Sequence, residues 1–250
     1  MRPQKSWIHT SVFASFVAMR TVFLVVLSSV LHSSVIADQE SRKATLSTGE
    51  SVSYLLYEPK SSPDKKPPLL LFLHGGGESG DDIEKVKTHG PPKEIENGRS
   101  FPFLVISPQN PDKKGFWDED RLARFLDHLD GELYFDRKRV YLAGMSRGGY
   151  GAYRLAMENP NRFAAMIVLC AAAPTPYAGW LPKIPIWLIH GDKDPVIPVD
   201  ESIRMEKAIR ASGGDITLTR HRDAGHDVWT KTFASHDFVE WLLQCEREED

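Results

Sequence analysis

The pentapeptide Gly144-Met145-Ser146-Arg147-Gly148 places a serine between two glycines in a G-x-S-x-G pattern. The apolar run 139–143 before it is typical of a buried strand, and the run 149–158 after it has helical character. A serine in a sharp strand-to-helix turn has a strained backbone, and its hydroxyl is exposed at the top of the sheet, beyond the carboxyl end of the strand. The pattern therefore predicts that Ser146 is a nucleophile, with a passive serine in a Gly-rich turn as the alternative.

A serine hydroxyl needs a general base, and that base needs a carboxylate to orient it. In folds that carry this strand-turn-helix motif, the order along the chain is serine, acid, histidine. Asp194 follows Ser146 by 48 residues, and His226 follows Asp194 by 32. Both lie just after predicted strands, where sites form in open α/β sheets. We therefore predict a triad of Ser146, Asp194 and His226.

The acid has competitors, because Asp192 and Asp194 both follow the strand that ends in His190-Gly191. Asp194 precedes a proline, which holds it in an extended or turn conformation, and this favours it as the triad acid. Asp192 is interpreted as a loop-capping residue. Asp223 is the third choice.

The base also has competitors, since the chain contains nine histidines. His226 is favoured because it follows a glycine in the short loop between the last strand and the last helix. His74 and His190 immediately precede glycines at strand ends, and they are interpreted as structural residues that hydrogen-bond loop backbone. Other histidines lie within elements or lack a strand-end position: His89, His128, His221 and His236.

An oxyanion intermediate needs backbone N–H groups that converge on one point. The sequence predicts one donor at Arg147, directly after the nucleophile, and one at Gly76 in the loop His74-Gly75-Gly76-Gly77 after the first buried strand. A plain Gly-rich turn is the alternative. No Lys-Ser/Thr pair follows these glycines, which excludes a phosphate-binding P-loop.

Three tryptophans near strand ends are candidate walls of an acyl or aromatic pocket, and packing in the core is the alternative for each: Trp117, Trp180 and Trp229. No metal or cofactor is expected, because the histidines are scattered and no H-E-x-x-H pattern occurs. Cys170 and Cys245 are predicted to be free, buried thiols, with a disulfide as the alternative.

Residues 1–37 have the pattern of a signal peptide. They contain three basic residues and no acid, an apolar core over 21–31, and small residues before a cleavage site after Ala37. The apolar run is shorter than the roughly 20 residues that a membrane span needs, which argues against the alternative of an uncleaved anchor. Met19 is an alternative start. The protein is thus expected to be secreted or periplasmic.

Residues 38–250 are predicted to form one catalytic domain. They carry 28 Lys and Arg against 34 Asp and Glu, a net charge of −6. The chain therefore lacks the excess of basic residues that is typical of nucleic-acid-binding proteins. No second long apolar run follows residue 37, so no membrane span is expected after signal cleavage.

Strands that alternate with helices predict a mostly parallel sheet covered on both faces. Residues 38–44 are polar and are predicted to be a flexible lead-in, followed by a hairpin over 44–57. The predicted strands then cover 69–73, 103–106, 139–143, 163–170, 186–189 and 216–221. The predicted helices cover 92–96, 118–133, 149–158, 199–211 and 228–245. Only a short Pro-rich loop lies between Ala173 and Pro185, so no large lid is expected over the site.

Four motifs together resemble the α/β-hydrolase superfamily over residues 45–245: residues 73–80, 144–149, 190–198 and 225–229. They are most similar to its phospholipase/carboxylesterase and predicted-peptidase branch, which neighbours secreted esterases of the feruloyl-esterase and polyhydroxybutyrate-depolymerase type. The resemblance implies an α/β-hydrolase fold and Ser146, Asp194 and His226 as the triad. It distinguishes ester from peptide substrates poorly.

The sequence thus predicts a serine hydrolase that cleaves carboxylic esters through an acyl-enzyme, on a small-molecule or polysaccharide-linked substrate. One alternative is a serine peptidase of the prolyl-oligopeptidase type with the same triad. Another is a non-catalytic hydrolase-fold module that binds glycan, which the filled triad positions disfavour. The serine at 146 also disfavours a dienelactone-hydrolase type, which has a cysteine nucleophile.

Overall fold

A mixed eight-stranded sheet forms the centre of the protein. The computed structural model describes residues 38–60, 65–181 and 184–248. Its strands are β1 (Gln39–Thr45), β2 (Ser51–Tyr57), β3 (Leu69–Leu73), β4 (Leu104–Pro108), β5 (Val140–Met145), β6 (Ala165–Leu169), β7 (Ile186–Gly191) and β8 (Ile216–His221). Their order across the sheet is β1-β2-β4-β3-β5-β6-β7-β8. The first two strands are antiparallel to their neighbours, and all the other pairings are parallel, so the predicted mostly parallel sheet is confirmed.

Helices cover both faces of this sheet. They are α1 (Gly90–Glu96), α2 (Glu119–Glu132), α3 (Arg147–Glu158), α4 (Asp200–Ala211), α5 (Trp229–Ala234) and α6 (Asp237–Leu243), with short 3-10 helices at Ile83–Thr88 and Thr175–Trp180. The side chains of β3 point alternately to the two faces of the sheet, and each face has its own core. Leu69, Leu71 and Leu73 face the core shared with α2, α3 and α4. Leu70 and Phe72 face the core shared with α1, α5 and α6.

The polar lead-in predicted at residues 38–44 is wrong, because these residues form the edge strand β1. Gln39 to Thr45 pair antiparallel with Tyr57 to Ser51. At the edge, most side chains of the strand face water, so it lacks the apolar run of a central strand. Gln39 is buried nonetheless, and its amide donates to Pro92 O at 2.7 Å.

The single last helix predicted over 228–245 is also wrong, because Ser235 is extended and separates α5 from α6. Arg99 explains the break, since its guanidinium donates to the carbonyls of Phe233 and Ser235. Those carbonyls would otherwise accept hydrogen bonds within a continuous helix.

All described residues belong to one compact unit. The predicted signal peptide, residues 1–37, lies outside the described residues and stays a prediction, as does the domain boundary at Ala37. Among the described residues, no helix has both the length and the hydropathy that a membrane crossing requires.

Candidate active site

Ser146 lies in the turn between β5 and α3 with a backbone that few non-glycine residues adopt, at φ 52° and ψ −120°. The turn is fixed by the neighbouring strand, because Ser146 N donates to Leu169 O of β6 at 2.8 Å. Strained backbone of this kind persists only where the surrounding structure imposes it. The strain predicted from the G-x-S-x-G pattern is therefore present.

The two glycines of the pattern are required by close backbone approaches. A Cβ at Gly144 would lie 2.4 Å from Gly148 O, and a Cβ at Gly148 would lie 2.0 Å from Leu73 O of β3. Both distances are shorter than any real carbon contact. Any side chain at either position would push α3 away from the sheet and displace Ser146.

We therefore expect Gly148→Ala to destabilise the protein, although alanine normally favours a helix. The clash with backbone should lower the free energy of unfolding by about 3 kcal/mol, which corresponds to a decrease of roughly 6–12 °C in Tm. Thermal unfolding followed by circular dichroism measures this. Gly131→Ala in α2 is the matched control, because a Cβ there has no neighbour within 4 Å and Tm should hold or rise. Equal Tm values for the two variants would contradict the close-packing explanation.

The structure brings together the three side chains of the predicted triad. His226 Nε2 lies 3.0 Å from Ser146 Oγ, and His226 Nδ1 lies 2.7 Å from Asp194 Oδ2. The carboxylate fixes the imidazole tautomer, since Nδ1–H donates to Asp194 and leaves Nε2 as the acceptor for the serine proton. The arrangement can accept a proton from a serine that attacks a carbonyl.

The carboxylate of Asp194 is fully buried and strongly hydrogen-bonded. Oδ1 accepts the backbone N–H groups of Val196 at 2.8 Å and Ile197 at 2.9 Å. Burial raises the pKa of Asp194, but the hydrogen bonds from His226 and from these two amides outweigh it and hold the pKa below the ordinary carboxyl value. The acid therefore stays ionised, as a group that stabilises an imidazolium must.

His190 and Cys170 form a second layer around Asp194. His190 Nε2 donates to Ile197 O at 2.9 Å and lies 3.2 Å from Asp194 Oδ2, while its Nδ1 accepts from Ser202 Oγ at 2.7 Å. The Cys170 Sγ lies within 4.8 Å of ligand atoms of both His190 and Asp194, and burial raises the pKa of this thiol to about 12. The structural interpretation of His190 is thus confirmed, with the addition that it contacts the acid.

Ligand atoms of Cys170, His190 and Asp194 all lie within 4.8 Å of one another, and among the described residues they are the group whose geometry comes nearest to a metal site. Both nitrogens of His190 already engage protein atoms, and Asp194 Oδ2 already engages His226. A metal ion would have to break these bonds. The three groups are therefore better described as a buried polar cluster around the candidate triad acid.

The competing acids take part in surface ion pairs. Asp192 Oδ1 accepts from Arg220 Nε at 2.7 Å, and Asp223 Oδ1 pairs with Lys193 Nζ at 2.7 Å. Neither of these contacts reaches His226. The geometry consequently favours Asp194, as the proline after it does in the sequence.

The loop after β3 is held in place by His74, which is fully buried. Its Nδ1–H donates to Gly75 O at 2.6 Å, and its Nε2 accepts the backbone N–H of Asn110 at 3.0 Å. Trp117 Nε1 donates to His74 O at 3.3 Å. The structural role predicted for His74 is confirmed, since it ties the glycine loop to the segment after β4.

We expect acid to destabilise the protein through His74. Burial lowers its pKa to about 4, so between pH 6.5 and 4 the unfolded chain binds a proton that the folded chain excludes. Stability should therefore fall as the pH decreases through this window, by up to about 3 kcal/mol. Urea unfolding at several pH values measures the slope. Glu78 has the opposite effect on the pH dependence of stability, because burial raises its pKa. His74→Gln is therefore the comparison variant, and its stability should vary less with pH. Parallel profiles for both proteins would contradict the assignment.

The residues that carry the two predicted oxyanion donors lie close to each other. A Cβ at Gly76 would lie 3.0 Å from the Arg147 guanidinium, and a Cβ at Gly75 would lie 3.7 Å from Ser146 Cβ. Arg147 Nη1 donates to the carbonyls of Lys113 and Gly115, so its side chain fastens a second loop beside the first. Within the described residues, neither the Gly76 nor the Arg147 backbone N–H donates to a protein acceptor. Both amides are thus available to a substrate oxygen.

Comparison with known proteins shows which family the chain belongs to. Residues 89–241, more than half of the chain, match the family model described as Phospholipase/Carboxylesterase. The chain belongs to the phospholipase/carboxylesterase family. This places it in the α/β-hydrolase superfamily, as the sequence motifs indicated. The matched residues include Ser146, Asp194 and His226.

Three relatives of this family member illustrate its similarity to esterases. NocK of Nocardia uniformis subsp. tsuyamanensis, named provisionally as an esterase, is 32% identical over 61% of this chain and 48% of its own length. A provisionally named feruloyl esterase C of Aspergillus terreus is 25% identical over 78% of this chain and 76% of its own. A solved structure described as a thermostable esterase is 28% identical with a TM-score of 0.72, covering 85% of this chain and 64% of that one. The chain thus spans about half the length of its Nocardia relative.

The three tryptophans predicted to line a substrate pocket lie in different surroundings. Trp117 is buried in the core and contacts the ring of His74, so for this residue the core alternative holds. Trp229 is only 8% exposed, but the edge of its ring system meets His226 with the ring centroids 5.0 Å apart. Trp180 is 56% exposed and contacts Tyr177 on the same 3-10 helix. A substrate-binding role stays a prediction for Trp180 and Trp229.

Both cysteines are free, as predicted, although Cys245 is only partly buried. The contact of Cys170 with Asp194 was not predicted. One signal was present in the sequence, because Cys170 directly follows β6 at the carboxyl end of the sheet, where this family places its site. Its backbone also has a positive φ, of 46°.

Proposed function

We propose that this family member is a serine esterase that cleaves carboxylic esters through an acyl-enzyme. The observation that carries the proposal is the continuous chain Ser146 Oγ–His226–Asp194, with distances of 3.0 Å and 2.7 Å, on a strained strand-to-helix turn. Membership of an esterase family and the esterase relatives support the same reaction class.

In the proposed mechanism, His226 Nε2 takes the Ser146 proton while Oγ attacks the ester carbonyl. Asp194 holds the imidazole and stabilises its charged form. The backbone N–H groups of Gly76 and Arg147 hold the oxyanion of the tetrahedral intermediate. His226 then returns the proton to the alcohol oxygen as the alcohol leaves. A water activated by His226 finally hydrolyses the acyl-enzyme and restores Ser146.

A panel of substrates tests the reaction class. We expect p-nitrophenyl acetate and butyrate to give a burst of nitrophenol followed by turnover, because an acyl-enzyme accumulates. Aminoacyl and prolyl p-nitroanilides should have lower kcat/KM, since an amide leaving group demands protonation that an ester does not. Equal or higher values for the anilides would favour the peptidase alternative, and absence of all turnover would favour a binding module.

The substrate is proposed to be a small-molecule or polysaccharide-linked ester that meets the protein outside the cytoplasm. We expect cleavage of residues 1–37 on export, because of their signal-peptide pattern. N-terminal sequencing of protein recovered from the periplasm or medium should begin at Asp38. Protein that stays in the cytoplasmic fraction with its original N-terminus would contradict the proposed localisation.

A further inference from the structure

Glu78 is a buried carboxylate close to the nucleophile that the mechanism above does not use. It is 5% exposed, and among the described residues its Oε2 has no hydrogen-bond partner. His74 Nδ1 lies 3.7 Å from Oε2, but its proton is directed to Gly75 O. A buried carboxyl oxygen without a hydrogen-bond partner is costly, so a ligand that supplies a donor here would relieve that cost.

Two more orphaned polar atoms belong to His89, which lies next to Glu78, and to Trp229, which contacts His89. His89 Nε2 is 3.7 Å from Glu78 Oε1, and the rings of His89 and Trp229 are in edge contact with centroids 5.8 Å apart. Within the described residues, neither His89 Nδ1 nor Trp229 Nε1 has a hydrogen-bond partner, and both atoms are buried. Trp229 in turn contacts His226. The Glu78–His89–Trp229 cluster therefore extends from the oxyanion loop to the candidate base.

The glycine at position 75 leaves space between this cluster and the nucleophile. A carbon at the Cβ position of Gly75 would lie 3.4 Å from Glu78 Oε2 and 3.7 Å from Ser146 Cβ. A substrate atom in that space would contact the carboxylate and lie close to the carbonyl that Ser146 attacks. The substituent must therefore be small and must lie near the scissile bond.

The chemistry of the orphaned atoms selects the substituent. Glu78 Oε2 needs a donor, whereas Trp229 Nε1 can only donate. A hydroxyl group both donates and accepts, so it can satisfy the two requirements. A protonated amine would pair with Glu78 but would leave the indole N–H without an acceptor.

We propose that the Glu78–His89–Trp229 cluster is a subsite for a hydroxyl group that the ester substrate carries close to its scissile carbonyl. The subsite rests on the proposed esterase function and names a feature of its substrates. It is distinct from the triad and from the oxyanion donors.

Matched ester pairs test the subsite. p-Nitrophenyl 3-hydroxybutyrate against p-nitrophenyl butyrate places the hydroxyl on the acyl side, and glycerol monobutyrate against propyl butyrate places it on the alcohol side. We expect wild-type kcat/KM to favour the hydroxylated member of at least one pair by about 10- to 100-fold, because a buried carboxyl oxygen that otherwise lacks a partner gains a hydrogen bond. Glu78→Gln and Trp229→Phe should each reduce that ratio towards one. The exposed Glu84→Gln is the control and should keep it.

The outcomes separate the two proposals. Turnover of butyrate esters without any preference for the hydroxyl would overturn the subsite and leave the esterase intact, and it would mean that the cluster holds only water. A preference for p-nitrophenyl 3-aminobutyrate over the hydroxyl ester would also overturn it. Wild-type protein that hydrolyses none of the esters would contradict the esterase itself. A ratio that survives in both Glu78→Gln and Trp229→Phe would place hydroxyl recognition elsewhere.

Discussion

Ser146→Ala is expected to lower kcat on a short-chain aryl ester by roughly 10⁴–10⁶-fold. The size follows from the mechanism, because without Oγ no acyl-enzyme can form and His226 has no proton to accept. The remaining rate would come from water attack on an ester held by the oxyanion donors. Stopped-flow and steady-state measurements with p-nitrophenyl butyrate should show both the loss of the burst and the slow residual turnover.

The effect must be separated from unfolding. Far-UV circular dichroism should be unchanged in Ser146→Ala, since alanine keeps the Cβ and the backbone N–H that donates to Leu169 O. Ser47→Ala, at an exposed position in the β1–β2 turn, is the matched control and should retain full activity. Undiminished turnover in a folded Ser146→Ala protein would rule out Ser146 as the nucleophile.

Asp194→Asn should reduce kcat by about 10⁴-fold, because it reverses the tautomer of His226. The backbone amides of Val196 and Ile197 both donate to Oδ1. The asparagine would therefore keep its oxygen at that position and turn its NH₂ group towards His226. An NH₂ group facing Nδ1 forces the proton onto Nε2, which can then no longer accept from Ser146.

Asp192→Asn is the control for this substitution. Its partner is Arg220 on the surface, so activity should stay within a factor of about 2, as is usual for a weak exposed ion pair. Measurement of kcat for both variants on one ester decides between the two acids. A large loss in Asp192→Asn together with a small loss in Asp194→Asn would contradict the assignment from geometry.

The parts of the site that were predictable from sequence are those fixed by local pattern and chain order. The G-x-S-x-G pattern predicts the strained turn at Ser146, because only glycine allows the approach of Gly148 to Leu73 O. Asp194 and His226 were predictable because parallel strands bring their carboxyl ends to one edge of the sheet. Both inferences need only the predicted strands, the order of the residues along the chain and the spacing between them.

The remaining parts depend on contacts between distant segments. The contact of Glu78 with His89 depends on how the 3-10 helix before α1 packs on the glycine loop, and no local pattern reports this. The thiol of Cys170 meets Asp194 only once β6 and β7 are paired. The break between α5 and α6 likewise follows from Arg99, more than 130 residues earlier in the chain. The edge strand β1 was missed because its solvent-facing side chains resemble those of a loop.

Labelling with a fluorophosphonate tests the central claim most directly, because the reagent reacts only with a serine that is activated by its surroundings. We expect one phosphonyl group per chain, located on Ser146 by peptide mass spectrometry, with loss of esterase activity in proportion to labelling. The Ser146→Ala protein should take up no phosphonyl label. Esterase activity that persists in fully labelled protein, or a label on another residue at the same rate, would contradict the claim that Ser146 is the nucleophile.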